Sequence, residues 1–411
     1  MRDSVESLRG SLLRIYQAAL AAVEGGHRVR YALASNVLYD PVYVIAVGKA
    51  ACAMARGAAQ ALGTRIRGAL VVTKHGYSEQ LPWPVLEAGH PLPDEASLAA
   101  GAALLQFVDA VPERSSVLLL LSGGTSALVE ALPEGMSIAP LRELNAWLLA
   151  SGRDISEMNA IRQRVSLIKG GRLAQRLYPR DVLCLAISDV AGDHPATIGS
   201  GPVSPVANQH HFNLTDAPAG VQRALQNPPA MPIPNDPCFQ KVRFEIVARL
   251  ADAKDAAARA AETEGFAAVL HPEFISGTAM EAGESLAQKL IQSGSRAVHI
   301  WGGEPTVRLP SKAGRGGRAQ HMGLSAARVF AGHSNVALLV AATDGSDGNT
   351  DEAGAIVDGE TVRRGEDAGH SALRALEEAD SGRFLEAAGD LIQTGPTGTN
   401  VMDLMIGARL D

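Results

Sequence analysis

A glycine-rich turn closes the most apolar run of this sequence. The leucine-rich stretch 117–121 stops at five small or hydroxylated residues, and a helical pattern follows. Backbone N–H groups at a helix start, together with hydroxyl groups, bind phosphate well. We therefore predict a phosphate-binding turn made of Ser122, Gly123, Gly124, Thr125 and Ser126. A plain glycine turn, with a hydroxyl residue capping the helix, is the alternative.

Three basic residues lie in similar turns. Lys49 follows the apolar run 42–47 after a single glycine, and a point charge there suits a transferring phosphoryl group. Arg315 and Arg318 lie in the glycine-rich segment 314–320, where an arginine can clamp phosphate or carboxylate through two hydrogen bonds. We predict that Lys49 and Arg318 are catalytic and that Arg315 contacts the substrate.

The arginine-containing segment also fits a rival pattern. Gly314, Gly316 and Ala319 match the GxGxxG/A spacing of a dinucleotide-binding turn. Such a turn begins where a strand ends, whereas Pro-Ser-Lys at 310–312 separates this one from the apolar run before it. We therefore favour another role, in which Gly316 and Gly317 let the backbone approach a bound cofactor.

Carboxylates follow several of the other apolar runs. Mg²⁺ in phosphoryl transfer takes one or two carboxylates together with waters and phosphate oxygens. The predicted metal ligands are Asp189, Asp193, Asp344 and Asp347. Asp189 is also predicted to be catalytic, as acceptor of a hydroxyl proton, and Glu304 to contact the cofactor. Ordinary turn chemistry explains an aspartate beside glycine equally well.

The histidines carry a weaker signal. His90 precedes a proline in a loop and is predicted to contact substrate, although a structural role is the alternative. His210 and His211 lie in a polar loop and are predicted to be solvated. We find no HxxxH spacing and no Cys/His cluster in the sequence, so zinc is not expected.

Short apolar runs bounded by glycine alternate with helical patterns along the chain. In the first half they predict strands at 42–47, 68–74, 83–90, 117–121 and 181–190, in a mostly parallel sheet covered on both faces. The proline-rich stretch 226–237 predicts a boundary. We expect a Rossmann-like α/β domain at 1–235 and a smaller α/β domain at 240–411, with the active site in the cleft between them.

Composition excludes several classes of protein. The chain has 411 residues, 46% hydrophobic and 4% aromatic, with a net charge of −7. Without a basic stripe, nucleic acid is not an expected partner. The N-terminal pattern lacks the unbroken apolar stretch of a signal peptide, and nothing reaches the length of a membrane span. Cys52, Cys184 and Cys238 are widely spaced, which fits reduced thiols in a cytoplasmic protein.

The sequence resembles the glycerate 2-kinase family, the type with a C-terminal MOFRL domain. The resemblance runs over nearly the whole chain. It rests on VGKA (47–50), AGHPLPDEAS (88–97), LLSGGTSALVE (120–130), MNAIRQRVSLIKGGRLA (158–174), ISDVAGDHPATIGSGP (187–202), GGEPTV (302–307), GGRAQ (316–320) and DGSDGNTDEAGA (344–355).

The resemblance implies ATP-dependent phosphorylation of D-glycerate to 2-phosphoglycerate with a divalent metal, Mg²⁺. The family's key lysine and arginine would fall on Lys49 and Arg318. Family members usually read GGRNQE where this chain has Ala319 and His321, a change that could alter substrate choice or metal affinity. Some members are labelled hydroxypyruvate reductases, so an NAD(P)H-dependent reductase is the alternative function, and a non-catalytic sensor is a third. A monomer or homodimer is expected.

Overall fold

The computed structural model describes residues 4–151, 153, 155–206, 215 and 217–411. His210 and His211, predicted to be solvated, lie outside the described residues. The chain forms two compact units, Gly25–Ala248 and the combination of Met1–Glu24 with Arg249–Asp411. In the described part of the chain, no helix combines the length and the apolar character that a membrane crossing requires.

Helix α1 (Val5–Ala22) comes first in the chain and belongs to the second unit. The first unit alternates strands and helices. Its elements are α2 (Gly25–Ser35), β1 (Val42–Val47), α3 (Ala51–Leu62), β2 (Ile66–Lys74), β3 (Val85–Ala88), α4 (Glu95–Ala110), β4 (Ser116–Leu121), α5 (Thr125–Leu128), α6 (Ile138–Ala150), α7 (Ile155–Arg164), α8 (Arg172–Leu177), β5 (Asp181–Ile187), α9 (Ala219–Ala224) and β6 (Val242–Ala248).

The six strands of the first unit form one parallel sheet in the order β3-β2-β1-β4-β5-β6. Strands β1 and β4 are almost entirely buried, as expected for the centre of a sheet covered on both faces. The strand order reverses between β1 and β4. Beyond the carboxyl ends of strands at such a switch point, doubly wound sheets bind their ligands. The predicted Rossmann-like fold is confirmed.

The second unit contains a mixed sheet. Besides α1 it comprises α10 (Leu250–Thr263), β7 (Ala267–Ile275), α11 (Ala279–Gln292), β8 (Ala297–Gly303), α12 (Arg318–Phe330), β9 (Val336–Ala342), β10 (Gly354–Asp358), α13 (Thr361–Asp367), α14 (Ala372–Glu377), α15 (Ser381–Ala388), β11 (Leu391–Ile392) and β12 (Asp403–Arg409). The strand order is β11-β10-β9-β12-β8-β7. Strand β12 was not predicted, yet it lies between β8 and β9, antiparallel to both.

The units differ from the predicted domains 1–235 and 240–411 in two places. Strand β6, which follows the proline-rich stretch, pairs in parallel with β5 and so belongs to the first sheet. The prolines therefore mark a crossover loop inside the first unit. Helix α1 belongs to the second unit, where the Tyr16 hydroxyl donates to the Ala342 carbonyl at 2.7 Å and Arg14 bonds Glu264.

Candidate active site

The loops that follow β1 and β4 are in direct contact at the switch point. The backbone N–H of Lys49 donates to the Gly123 carbonyl at 2.9 Å, and that of Ala50 to the Ser122 hydroxyl at 3.0 Å. Gly48 has φ +132°, and a Cβ on it would lie 2.1 Å from the Ser122 hydroxyl oxygen. Only glycine allows this approach, so Gly48 fixes the predicted lysine turn against the predicted phosphate turn.

The hydroxyls of the turn after β4 are used in different ways. Thr125 donates to the carbonyls of Val47 at 2.9 Å and Ser122 at 2.7 Å, so this buried side chain holds the two loops together. Ser126 instead pairs with the Ser200 hydroxyl at 2.9 Å. Ser122 and Thr125 therefore have structural partners. Phosphate binding by the turn stays a prediction.

A cavity of about 210 Å³ lies in the first unit, where the loops after β3, β4 and β5 meet. It brings together some of the predicted site residues from three separate motifs, namely His90, Gly124, Thr125, Ser126 and Asp189. A Cβ on Gly124 would lie 3.0 Å from the His90 ring. Lys49, Ser122, Gly123 and Asp193 are not part of this lining.

The cavity also has polar residues that sequence reasoning missed. The lining includes Glu130, Asn145, Asn159, Arg162 and Lys169. Lys169 and Glu130 form a buried ion pair. The motif 158–174 was recognised only as part of the family resemblance. Nothing in the spacing of its charged residues marks them as site residues, and only their burial in the fold reveals them.

Arg162, at the end of α7, is held by neutral groups. Its Nε donates to the amide oxygen of Asn145 at 3.1 Å. Its Nη1 lies 3.5 Å from the amide oxygen of Asn159. The Asn159 oxygen also accepts from Ser200. Burial lowers the pKa of the Arg162 guanidinium, and among the described residues no carboxylate offsets this effect.

In the second unit, Arg318 opens α12 and is surrounded by carboxylates. Its Nε and Nη2 donate to the two oxygens of Asp403 at 2.6 and 3.0 Å, and its Nη1 lies 2.9 Å from Glu304. Burial lowers the pKa of Arg318, but Asp403, Glu304 and Asp347 outweigh burial and raise it. Asp403 is fully buried at the start of the unpredicted β12. The structure thus brings together the predicted residues Arg318 and Glu304.

Asp347 caps helix α12. Its two carboxylate oxygens accept the backbone N–H groups of Ala319 at 3.1 Å and Gln320 at 2.8 Å. Burial and, to a lesser extent, Asp403 raise the pKa of Asp347 to about 7, against the lowering effect of the two N–H groups. A carboxylate with both oxygens engaged in this way does not fit the predicted metal-ligand role, because burial and helix capping already account for it.

The remaining predicted residues of the second unit also have protein partners. Arg315 donates to Glu352 at 2.6 Å and Glu386 at 2.5 Å, so its guanidinium already has two carboxylates. Asp344 is buried and accepts from the Ser346 N–H. Within the described residues, we find no group of three or more His, Cys, Asp or Glu placed to hold a metal.

Asp193, the remaining predicted ligand of the first unit, is partly exposed in the loop after β5.

The glycines before α12 are held by packing. The Gly316 N–H donates to Asn349 at 2.9 Å, and a Cβ on Gly317 would lie 2.2 Å from Asp347. The helix-start N–H groups that would hold a pyrophosphate in a dinucleotide turn already donate to Asp347. The geometry therefore disfavours the dinucleotide interpretation of this segment.

The two residues that depart from the family pattern lie inside the second unit. Ala319 is fully buried in the core, and the His321 ring nitrogen Nδ1 lies 3.2 Å from the Ser381 hydroxyl. Burial lowers the pKa of His321, which favours the neutral imidazole. Both side chains therefore act on the packing of α12.

Comparison with known proteins gives matches over nearly the whole chain. The family model of the domain of unknown function DUF4147 matches residues 11–221, and the model of the MOFRL family matches residues 297–403. The D-glycerate 2-kinase of Thermotoga maritima is 38% identical over 98% of this chain and 98% of its own length. A relative from Agrobacterium vitis, provisionally named hydroxypyruvate reductase, is 36% identical over 97% of this chain and 94% of its own.

The fold agrees as well. The crystal structure of glycerate kinase from Thermotoga maritima superimposes with a TM-score of 0.82 at 36% identity, covering 98% of this chain and all of the other. Sequence and fold thus agree along nearly the full length of both chains. The chain belongs to the glycerate 2-kinase family, the type with a C-terminal MOFRL domain.

Proposed function

We propose that this protein transfers the γ-phosphoryl group of ATP to the 2-hydroxyl of D-glycerate, giving 2-phosphoglycerate and ADP. One observation carries the proposal. In a chain 38% identical to a D-glycerate 2-kinase, a small polar cavity at the carboxyl ends of a doubly wound sheet is lined by Asp189, Ser126 and His90. Its size suits a three-carbon acid, since cavities for drug-sized ligands measure roughly 300–1,000 Å³.

In the proposed reaction, the 2-hydroxyl oxygen attacks the γ-phosphorus, and the bond from that phosphorus to the β–γ bridging oxygen breaks. The hydroxyl proton passes to Asp189, which lines the cavity. Lys49 follows β1 at the switch point and supplies positive charge to the transferring group. Such catalysis depends on positioning and charge more than on covalent chemistry.

Arg318 is the cation of the second unit that we propose acts on phosphate. Asp403 holds two of its nitrogens and fixes the guanidinium plane. The third nitrogen contacts Glu304, whose side chain is 44% exposed. Because an ion pair with an exposed acid contributes little, a phosphate oxygen can take the place of Glu304. Asp403 thereby positions Arg318 for this contact.

A divalent metal, when bound with ATP, would neutralise phosphate charge. Asp189 fits a ligand role, because it lines the cavity at the end of β5. Asp193 and Asp344 are further candidates on sequence grounds. Asp347 is the least favoured of the predicted ligands, because both of its oxygens accept N–H groups at the start of α12.

The proposal is tested with purified protein in two parallel assays. The first contains ATP, Mg²⁺ and D-glycerate, with ADP release followed and the product separated as 2- or 3-phosphoglycerate. The second contains hydroxypyruvate with NADH or NADPH. We expect ADP release that depends on glycerate, and 2-phosphoglycerate as product. Nicotinamide oxidation without ADP release would instead establish the reductase and contradict the kinase.

A further inference from the structure

Arg162 differs from the other basic group of the first-unit cavity. Lys169 is neutralised by Glu130 in a pair whose side chains are both 3% exposed. Arg162 has the amide oxygens of Asn145 and Asn159 as partners, and no carboxylate among the described residues lies within ion-pair distance. Amide oxygens satisfy hydrogen bonds but leave the positive charge uncompensated.

An uncompensated, partly buried charge is costly to the folded protein. Here burial lowers the pKa of the guanidinium, in line with that cost. The two asparagines are themselves buried, so they hold the side chain in one place. A fixed guanidinium that lines a cavity and lacks a counter-ion is a receptor for an anion, with N–H groups arranged for a carboxylate.

We propose that Arg162 binds the carboxylate of the acceptor substrate and so determines specificity for a hydroxy acid over a neutral polyol. The inference rests on the proposed kinase function. Asp189, Ser126 and Arg162 line the same cavity, so a small hydroxy acid held there can direct its carboxylate to Arg162 and a hydroxyl to Asp189. A three-carbon acid suits a cavity of about 210 Å³, which favours the acceptor as its occupant.

The test combines a change in the enzyme with a change in the substrate. Wild type and Arg162→Met are assayed for ADP release with D-glycerate and with D-glyceramide, in which an uncharged amide replaces the carboxylate. We expect the substitution to lower kcat/KM for glycerate by about 100-fold, the size of a charge-assisted hydrogen-bonded contact. For glyceramide, kcat/KM should change by less than about 3-fold, because only the charged contact is removed. The KM for ATP should stay unchanged.

Two variants serve as controls. Arg164→Met removes a positive charge from the same helix at a residue outside the cavity lining, and we expect wild-type kinetics. Arg162→Lys keeps the charge but loses the planar pair of donors, and we expect partial recovery of the glycerate KM. Circular dichroism checks that each variant is folded, and Arg162→Lys carries the test where Arg162→Met does not fold.

The outcomes separate the inference from the function it rests on. If the wild type shows no glycerate-dependent ADP release, the proposed function fails. If the wild type is active and Arg162→Met lowers kcat/KM equally for D-glycerate and D-glyceramide, Arg162 has a structural role and the inference is overturned. A rise in the KM for ATP with an unchanged KM for glycerate would also overturn it, because Arg162 would then bind nucleotide phosphate.

Discussion

Two arginines, one in each unit, show opposite ways of keeping a positive charge in a protein. Arg318 has Asp403 on two nitrogens and Glu304 on the third. Arg162 has neutral amide oxygens, with no carboxylate within ion-pair distance among the described residues. Nearby acids raise the pKa of Arg318, whereas burial lowers that of Arg162.

The charge balance around an arginine indicates whether it mainly stabilises the fold or binds a ligand. Where a fully buried acid supplies the counter-charge, the pair is part of the fold and the guanidinium is oriented by it. Where amides hold the guanidinium, the missing negative charge is left for a ligand to supply. On this basis Arg318 is expected to contribute strongly to stability, and Arg162 to binding.

The largest effect is expected for Arg318→Met. Removing the guanidinium leaves Asp403 buried and unpaired, so the free energy of unfolding should fall by about 2 to 4 kcal/mol. The loss should be smaller than for a fully buried pair, because a third of the Arg318 side chain is exposed. Loss of the cation should also lower kcat by about 10² to 10³-fold. Urea unfolding and ADP release measure the two effects.

Arg363→Met is the matched control for stability. Arg363 also pairs with two acids, Glu360 and Asp367, but all three side chains are about half exposed or more. We expect a change within about 0.5 kcal/mol. Equal losses of unfolding free energy for Arg318→Met and Arg363→Met would show that burial of the counter-ion does not determine how much the arginine stabilises the fold.

Asp347 should give an intermediate, pH-dependent effect. Its pKa in the folded protein is about 7, above that of an unfolded aspartate, so between these values the folded state binds the extra proton. Stability must then fall as pH rises from about 4 to 7 and level off above, by up to about 1.4 kcal/mol per pH unit. The change follows from burial beside Asp403.

Asp347→Asn removes the titrating group while one capping oxygen remains. Measured by urea unfolding, the stability of the variant relative to wild type should therefore rise by about 2 kcal/mol between pH 5 and pH 7.5. A constant difference over this range would show that Asp347 is ionised throughout. The negative charge near Arg318 would then be larger than the comparison assumes.

Arg162→Met should affect stability less than Arg318→Met or Asp347→Asn does. Losing a charge that has no acidic partner should change the free energy of unfolding by less than about 1 kcal/mol, in either direction. The two asparagines lose one hydrogen bond each but keep others. A loss as large as that of Arg318→Met would show that Arg162 belongs to the fold.

Much of the fold could be predicted from the sequence. Strand β1 has the predicted bounds, and β4 begins one residue before them, because continuous apolar runs between glycine turns leave few alternatives. Strand β12 was missed, since its pairing with β8 and β9 is antiparallel and distant in sequence. The place of α1 in the second unit could not be predicted, because its partners there, Ala342 and Glu264, are distant in sequence.

The site could be predicted only in part. Turns at strand ends, such as those after β4 and β5 that bring Ser126 and Asp189 to the cavity, follow from the parallel topology. The charged partners of the two arginines do not follow from the topology. Asp403 lies on β12, the strand that was not predicted. The sequence does not show that Arg162 is buried, because its partner Asn145 and the Ser200 loop that contacts Asn159 lie on other segments. Spacing along the chain cannot show such burial.

Calorimetric titration of D-glycerate into wild type, Arg162→Met and Arg318→Met, without nucleotide, would show which arginine binds the carboxylate. If the arginine without an acidic partner binds the carboxylate, affinity should fall by about 30-fold or more in Arg162→Met, while Arg318→Met should stay within about 3-fold of wild type. Retained binding in Arg162→Met, with binding lost in Arg318→Met, would show that Arg318 and not Arg162 binds the carboxylate.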